Sequence, residues 1–141
     1  MDNELLRSIY LKINNISDIS SKDFTKTLSG CTATGVQFGV LRNIPESGAK
    51  MSELVQKVKC AASNMTSIIK RMERDRLVTT SKNSNDMRET FVYLTEKGKD
   101  TLKEMEVLYQ GFLTRSYGSL SLEEQHILNL LLIKLEENLS R

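Results

Sequence analysis

The chain has 141 residues, of which 39% are hydrophobic and 27% are charged, and its formal net charge is only +2. These values indicate one globular domain, or a small domain with an oligomerisation arm, and no apolar run approaches the roughly 20 residues of a membrane span. An acidic N-terminus without a secretion signal predicts a cytoplasmic protein, while two cysteines and one histidine exclude a disulfide framework and leave little for a zinc site. We therefore expect neither membrane contact nor a metal or other cofactor.

The first third of the chain is predicted to be helical. Apolar residues spaced by three and four between Leu5 and Ile19 predict a first helix over residues 2–28. A second helix is predicted over residues 33–44, and it ends before the only proline in the sequence. Four residues of this second helix are expected to face inward, namely Val36, Val40, Leu41 and Ile44.

Two closely spaced helices follow, in the basic part of the chain. Ser52 is expected to cap the third helix, and residues 60–77 form the fourth after only a few small residues, as in a helix–turn–helix. Residues 50–88 hold nine basic and four acidic side chains, whereas residues 89–141 hold six basic and nine acidic ones. A polyanion is therefore expected to bind at the middle third of the chain.

A hairpin with a long polar loop is predicted next. Residues 77–81 and 89–94 have the composition of strands, and the second is rich in β-branched and aromatic side chains. The connection between them, KNSNDMR, is too long for a two-residue turn and too polar to be buried. We therefore expect this loop to project from the domain.

Two more helices close the chain. Thr95 is the expected N-cap of the fifth helix, and Ser121 with Glu124 has the spacing of a capping box for the sixth. Apolar residues cover more than one stripe of the sixth helix, which predicts burial on more than one side. The second side is expected to be another subunit, and the alternative is the core of the helix's own monomer. The residues expected at the subunit interface are Leu5, Ile9, Tyr109, Ile127, Leu128, Leu131, Leu132 and Leu135.

Several short motifs occur in a fixed order through the middle of the chain. Leu54-Val55 precedes the small-residue turn, Ser63, Asn64 and Thr66 begin the fourth helix, Leu77-Val78 follows it, Asp86-Met87-Arg88 lies in the loop, and Leu94-Thr95-Glu96-Lys97-Gly98 closes the hairpin. In this order the motifs resemble the MarR family of bacterial and archaeal transcription regulators, and the resemblance covers nearly the whole chain.

The resemblance implies a mainly α (α+β) fold. Residues 31–98 would form a winged helix–turn–helix with a small β-hairpin wing, and residues 1–30 with 99–141 would form the dimerisation helices. Two positions depart from the family pattern. Arg76 stands where glycine is frequent, which suggests a different turn out of the fourth helix. Thr80 stands where arginine is frequent, which removes one phosphate contact.

The resemblance also implies a homodimer that binds double-stranded DNA at a pseudo-palindromic operator. The fourth helix would read the major groove, where Asn64 can pair with adenine and Lys70 can reach guanine or phosphate. Arg88 would enter the minor groove and Asp86 would hold it, the alternative being a surface ion pair. For Ser63 and Asn64 the alternative is helix capping and exposure to solvent. The residues expected to contact DNA are Ala62, Ser63, Asn64, Thr66, Ser67, Lys70, Arg71, Lys82, Asn83, Asp86 and Arg88.

Regulation leaves several alternatives open. The resemblance implies repression that is relieved by a small aromatic or phenolic effector, with activation as the alternative, and four tyrosines could line the effector pocket: Tyr10, Tyr93, Tyr109 and Tyr117. A redox sensor could act through Cys31 or through Cys60, where the dipole of the fourth helix can lower the thiol pKa, although a cysteine is more often a small core residue. A winged helix that docks a protein is the remaining alternative. An enzyme is not expected, because the sequence has no Ser/His/Asp set, metal cluster or glycine-rich phosphate loop.

Overall fold

The computed structural model describes residues 3–82 and 88–141, and these two ranges contain six α-helices and one three-stranded antiparallel sheet. The mainly helical winged-helix fold that the sequence predicts is confirmed. Residues 83–87, which belong to the predicted projecting loop, lie outside the described ranges. The elements are α1 (Asn3–Thr27), α2 (Gly35–Arg42), β1 (Ala49–Lys50), α3 (Met51–Val58), α4 (Ala62–Arg74), β2 (Val78–Lys82), β3 (Thr90–Leu94), α5 (Glu96–Tyr117) and α6 (Leu122–Leu139).

The sheet has the strand order β1-β3-β2, so that β3 lies in its centre. β2 pairs with β3 from Val78 opposite Leu94 to Lys82 opposite Thr90. β1 adds only two residues to the other edge, with Ala49 opposite Val92. The sequence does not predict β1, because two residues are too few to show an alternating pattern. The two strands of the hairpin lie within one residue of their predicted bounds.

One hydrophobic core fixes α4 against α2, α3, the sheet and the first half of α5. Its largest fully buried side chains come from all of these elements, so that α4 cannot move without disturbing the others. Val36 was expected in this core but is 56% exposed, and it lies in the first turn of α2, one turn before the buried Val40. The fully buried side chains are Val40, Leu41, Leu54, Met65, Ile69, Met72, Leu77, Val78, Val92 and Met105.

The first and last helices contribute little to this core. Among the described residues, neither α1 nor α6 contains a buried one, so the alternative that α6 lies in the core of its own monomer is wrong. α1 contacts α5 near its C-terminal end, where Phe24 stacks near Phe112 (5.2 Å between ring centroids) and Asp23 accepts a hydrogen bond from Arg115 (3.3 Å). The apolar residues of both helices are thus left on the surface.

Side-chain caps fix the starts of two helices as the sequence predicts. Thr95 Oγ1 accepts from the Gly98 N–H (3.0 Å) at the start of α5. At the start of α6, Ser121 Oγ accepts from the Glu124 N–H (3.2 Å), and Glu124 Oε1 accepts from the Ser121 N–H (2.8 Å), which completes a capping box. The predicted cap of α3 is wrong, because Lys50 occupies the N-cap position and Ser52 lies inside the helix.

The capping box of α6 predicts a pH effect. Hydrogen bonds from the Ser121 backbone and then from its side chain lower the pKa of Glu124 below its ordinary value of 4.5. A lowered carboxyl pKa stabilises the fold above the ordinary value, and this stabilisation is lost as the pH falls through the folded-state pKa. We expect the NMR signal of the Ser121 amide to shift over this acid range. Glu124→Ala should abolish that shift, whereas the control Glu123→Ala should retain it; a shift that survives Glu124→Ala would contradict the assignment.

Candidate nucleic-acid interface

The exposed face of α4 is polar and basic. Ser63, Ser67, Lys70 and Arg74 recur at spacings of three and four residues, and all four are exposed. The opposite face of the helix is buried through Met65, Ile69 and Met72. α4 therefore presents one continuous row of donors to solvent, with its backbone held by the core behind it.

The N-terminal turn of α4 holds side chains that do not serve as caps. Ala61 occupies the N-cap position, and in the described chain no side chain caps this helix. Capping as the role of Ser63 and Asn64 is therefore wrong, and both side chains are exposed. The Thr66 hydroxyl donates to the Ala62 carbonyl (3.0 Å), so its oxygen keeps only acceptor capacity for another molecule. Together with the small Ala62, these residues allow close approach of a base edge.

The C-terminal half of α4 carries most of its charge. Lys70 and Arg71 are exposed, and Arg74 forms an exposed ion pair with Asp75 (3.4 Å), which contributes little to stability. The one acid within the helix, Glu73, accepts a hydrogen bond from the Thr80 hydroxyl on β2 (3.0 Å). Thr80, where we expected only a lost phosphate contact, thus links α4 to the wing.

The base of the wing is described, but its tip is not. Lys82 Nζ donates to Thr90 Oγ1 (3.0 Å) across the last residue pair of the hairpin, which places its ammonium group next to the connecting loop. Arg88 is exposed in the turn that leads into β3. Asn83 and Asp86 lie outside the described residues, and the predicted contact between Asp86 and Arg88 therefore stays a prediction.

The chain leaves α4 through a left-handed turn. Arg76 has φ +64°, a conformation that glycine adopts most easily. Its N–H donates to the Glu73 carbonyl (3.0 Å), and its own carbonyl accepts from Thr95 Oγ1 (2.6 Å). Arginine thus adopts a conformation that glycine favours, because the neighbouring backbone and Thr95 hold it there.

The four tyrosines proposed for an effector pocket lie in separate places. Tyr10 is 66% exposed on α1, and Tyr93 stacks near Phe91 on the sheet. Tyr109 lies between Phe24 and Phe38, with the Arg42 guanidinium 4.8 Å from its ring centroid. Tyr117 contacts the edge of the Phe112 ring near the end of α5. The four tyrosines therefore do not line one pocket within the chain, although Tyr109 and Tyr117 both contact Phe112, and the half-buried Tyr109 ring is engaged within its own chain.

A groove that the sequence does not reveal runs beside the polar row of α4, and Ser67 and Arg74 of that row also line it. Its volume is about 820 Å³, and it separates α4 from the segment that leads into α2. Asn64, Ser67 and Arg71 form its α4 wall. Thr32 and Thr34 contribute to the opposite wall. Only the tertiary packing of α2 beside α4 brings these residues together, and no sequence motif spans the thirty residues between them.

The two cysteines lie half-buried at the edge of the core. Burial raises the pKa of the Cys31 thiol, and the nearby Glu104 carboxylate raises it further. A raised pKa lowers the thiolate fraction on which peroxide reactivity depends. Cys60 precedes α4 by two residues and packs against the core.

Residues 34–98 match a family model described as a winged helix DNA-binding domain. A crystal structure of a protein described as a MarR-like transcription regulator, from Bacillus cereus ATCC 10987, is 39% identical with a TM-score of 0.84, and the match covers 96% of this chain and 99% of that one. The HTH-type transcriptional regulator YsmB of Bacillus subtilis (strain 168) is 27% identical over 98% of this chain and 95% of its own length. YkoM of the same strain is 26% identical over 70% of this chain, a match that spans only 64% of YkoM.

The fold is also that of a mutant MarR from E. coli solved in complex with operator DNA. That structure has a TM-score of 0.81 at 24% identity, and the match covers 96% of this chain and 97% of that one. The exposed basic helix, the sheet and these matches together define a transcription regulator with a DNA-binding winged helix. The chain belongs to the MarR family. This family consists of DNA-binding proteins, which agrees with the prediction that the chain is not an enzyme. Across the described ranges, every helix is too short or too polar to span a membrane.

Proposed function

We propose that this regulator binds a pseudo-palindromic, double-stranded operator as a homodimer. Each subunit would place α4 in a major groove and its wing in the neighbouring minor groove, with half-sites about one helical turn, roughly 34–36 Å, apart. The observation that carries the proposal is the exposed face of α4, on which Ser63, Ser67, Lys70 and Arg74 form one polar and basic row against a buried back.

The distribution of neutral and charged side chains within the domain supports the reading of base sequence by α4. Its first two turns offer neutral donors and acceptors, of which Asn64 can pair with adenine. Lys70 and Arg71 follow, and their charges suit guanine or the phosphates at the groove wall. Lys82 and Arg88 extend the same basic surface along the wing. Asn83 and Asp86 complete the proposed wing contacts from outside the described ranges.

The apolar surface that α1 and α6 leave uncovered supports dimerisation through residues 1–30 and 99–141. Leu5, Ile9, Ile127, Leu128 and Leu131 are all exposed within the chain. Burial of apolar surface yields about 25 cal/mol per Å², so covering two helices with a second copy is strongly favourable. Leu132 and Leu135 lie on the same helix and belong to this surface. The half-buried Tyr109 would contribute only its remaining exposed edge.

Repression with release by a small effector is the regulatory part of the proposal. The groove beside α4 supports it, because a molecule held there would contact Asn64, Ser67 and Arg71, which are also proposed to contact DNA. A small aromatic or phenolic compound would fit a groove of about 820 Å³ with an apolar floor at Val36 and Ile68. Bound effector and bound operator would then exclude each other.

The proposal is tested by titrating the protein against duplex DNA. An operator is first selected from a random duplex library, and its affinity is then compared with that of a shuffled duplex at two salt concentrations. We expect tighter binding to the selected duplex, and a log–log salt slope of roughly −0.9 for each phosphate contact on both duplexes. Failure to enrich any duplex, with the fold intact, would favour a winged helix that docks a protein.

Oxidation is expected to leave operator binding unchanged. The raised pKa of Cys31 and the packing of Cys60 against the core both oppose rapid reaction with mild peroxide. Wild type, Cys31→Ser and Cys60→Ser should therefore bind the operator with equal affinity before and after peroxide treatment, as measured by fluorescence anisotropy. The opposite result would be an operator affinity that falls after peroxide treatment and returns after addition of a thiol reductant. If one serine variant showed neither change, the cysteine replaced in that variant would be a redox sensor.

A further inference from the structure

Two basic residues with an unusual backbone conformation flank α4, one before its first residue and one after its last. Lys59 has φ +56° and Arg76 has φ +64°, and in the two described ranges they are the only residues other than glycine with positive φ. Lys59 lies three positions before the first residue of α4, and Arg76 lies two positions after its last. Glycine adopts this left-handed region without steric penalty, whereas a side chain with a Cβ is strained there.

Neither side chain is needed to form the turn in which it lies. At Arg76 the carbonyl is held by Thr95 Oγ1 (2.6 Å), and the next N–H, that of Leu77, donates to the Met72 carbonyl (2.9 Å). At Lys59 the N–H donates to the Val55 carbonyl and ends α3. Backbone hydrogen bonds and one threonine therefore impose both turns, and glycine would satisfy them at least as well.

The side chains of Lys59 and Arg76 also make no polar interaction with the rest of the described chain. They are exposed, and across residues 3–82 and 88–141 neither forms a hydrogen bond or an ion pair. In this they differ from Arg42, which pairs with Glu106 (2.7 Å), and from Arg115, which pairs with Asp23 (3.3 Å), and resemble Lys70 and Arg71 on the outer face of α4. Lys59 and Arg76 place a positive charge at each end of α4, although the positive φ at both positions is sterically unfavourable for a residue with a Cβ.

We infer that Lys59 and Arg76 are phosphate-binding residues that hold the two backbone walls of the groove that α4 enters. The inference rests on the proposed DNA binding and extends it to two residues outside the row on α4. A helix of 13 residues is about 20 Å long, longer than the roughly 12 Å width of the major groove, so its two ends approach the phosphates on opposite walls. Phosphate contacts position a protein on DNA without reading sequence. The positive charges of Lys59 and Arg76 therefore serve DNA binding, whereas glycine at either position would favour the stability of the fold.

The test uses Lys59→Gly and Arg76→Gly in the full chain, because stability and DNA affinity should change in opposite directions. We expect each variant to melt about 2–4 °C above wild type, since glycine relieves the left-handed strain. Each should bind the selected operator and a shuffled duplex more weakly by a similar factor. The log–log salt slope should become shallower by about one unit for each lost contact. Lys59→Arg and Arg76→Lys should restore the slope, because they restore the charge.

Lys103→Ala, which removes one exposed positive charge from α5, is the matched control and should leave the slope unchanged. Glycine variants that gain stability but keep wild-type affinity and salt slope would overturn the inference while leaving the proposed function intact. A selective loss of operator discrimination would also overturn it, because it would indicate base contacts. If wild type itself bound no duplex DNA, the proposed function would fail instead, so that the two failures are distinguishable.

Discussion

Leu131→Asp is expected to convert the dimer into a folded monomer and to abolish tight operator binding. Within one chain Leu131 is 59% exposed, so an aspartate there remains in water and leaves the monomer fold undisturbed. In the proposed dimer the same carboxylate would be buried without a partner, which costs on the order of 3–5 kcal/mol. One such charge enters from each subunit, and the two would repel each other if they lie near the two-fold axis.

Static light scattering at micromolar concentration measures this effect directly. Wild type should scatter as about twice the 16.0 kDa chain mass, and Leu131→Asp as a single chain with an unchanged circular dichroism spectrum. Asn129→Asp is the matched control, because it introduces the same charge about 200° around α6, away from Leu131. A wild-type protein that scatters as a monomer would remove α1 and α6 from the dimerisation proposal.

The loss of operator affinity in Leu131→Asp follows from the geometry of two half-sites. A dimer that has bound one half-site holds its second α4 at a high effective concentration over the other. A monomer has only the contacts of a single winged helix, and it must meet the second half-site independently. Residual binding by the variant should therefore show about half the salt slope of wild type.

Features of the fold that depend on neighbouring residues could be predicted from the sequence. The Thr95 cap and the Ser121–Glu124 capping box each involve side chains three residues apart, and both are present as expected. Burial of Met65, Ile69 and Met72 follows from helical periodicity and correctly identifies the outer face of α4. The same periodicity correctly indicates that α6 is apolar around more of its circumference than its own chain covers.

Features that depend on distant residues could not be predicted in the same way. The sequence predicts the turn at Arg76 from the identity of that one residue. In the structure the turn is held by the hydrogen bond from Thr95 to the Arg76 carbonyl. Gly98 packs closely beside it, because a Cβ at Gly98 would clash with the Leu77 carbonyl oxygen. β1 exists only because β3 offers a free edge to Ala49 and Lys50. The four tyrosines share a residue type but not one location, since Tyr10 lies on α1, Tyr93 on β3, and Tyr109 and Tyr117 on α5.

The same limit applies to the candidate site. Sequence spacing brings out the α4 row because all of its members lie on one helix. It does not bring out the groove beside α4, whose other wall comes from Thr32 and Thr34 about thirty residues earlier. The sequence also predicts only a lost phosphate contact at Thr80, whereas the Thr80 hydroxyl donates to Glu73 on α4 (3.0 Å). Contacts between elements are therefore needed to place the side chains around α4.

Arg88→Ala is expected to weaken operator binding by roughly 1–3 kcal/mol, the range of a good groove contact, or about 5-fold to 150-fold in affinity. A guanidinium in the minor groove is attracted by the strong negative potential of narrow A·T-rich segments, and alanine removes that attraction. Arg88 is exposed in the turn before β3, so the melting temperature and the dimer should change little. Lys103→Ala, which removes one exposed positive charge from α5, is the control for the loss of one positive charge.

Asn64→Ala should behave differently from Arg88→Ala, and the contrast separates the two parts of the interface. Asn64 is exposed in the first turn of α4 and does not cap it, so its loss removes a base contact without disturbing the helix. Because base contacts specify and phosphate contacts position, this variant should lose discrimination between operator and shuffled duplex while keeping its affinity for the shuffled one. Both variants are titrated against both duplexes at two salt concentrations. An Arg88→Ala protein with wild-type operator affinity would exclude the wing arginine from binding, and an Asn64→Ala protein with full discrimination would place sequence reading elsewhere on α4.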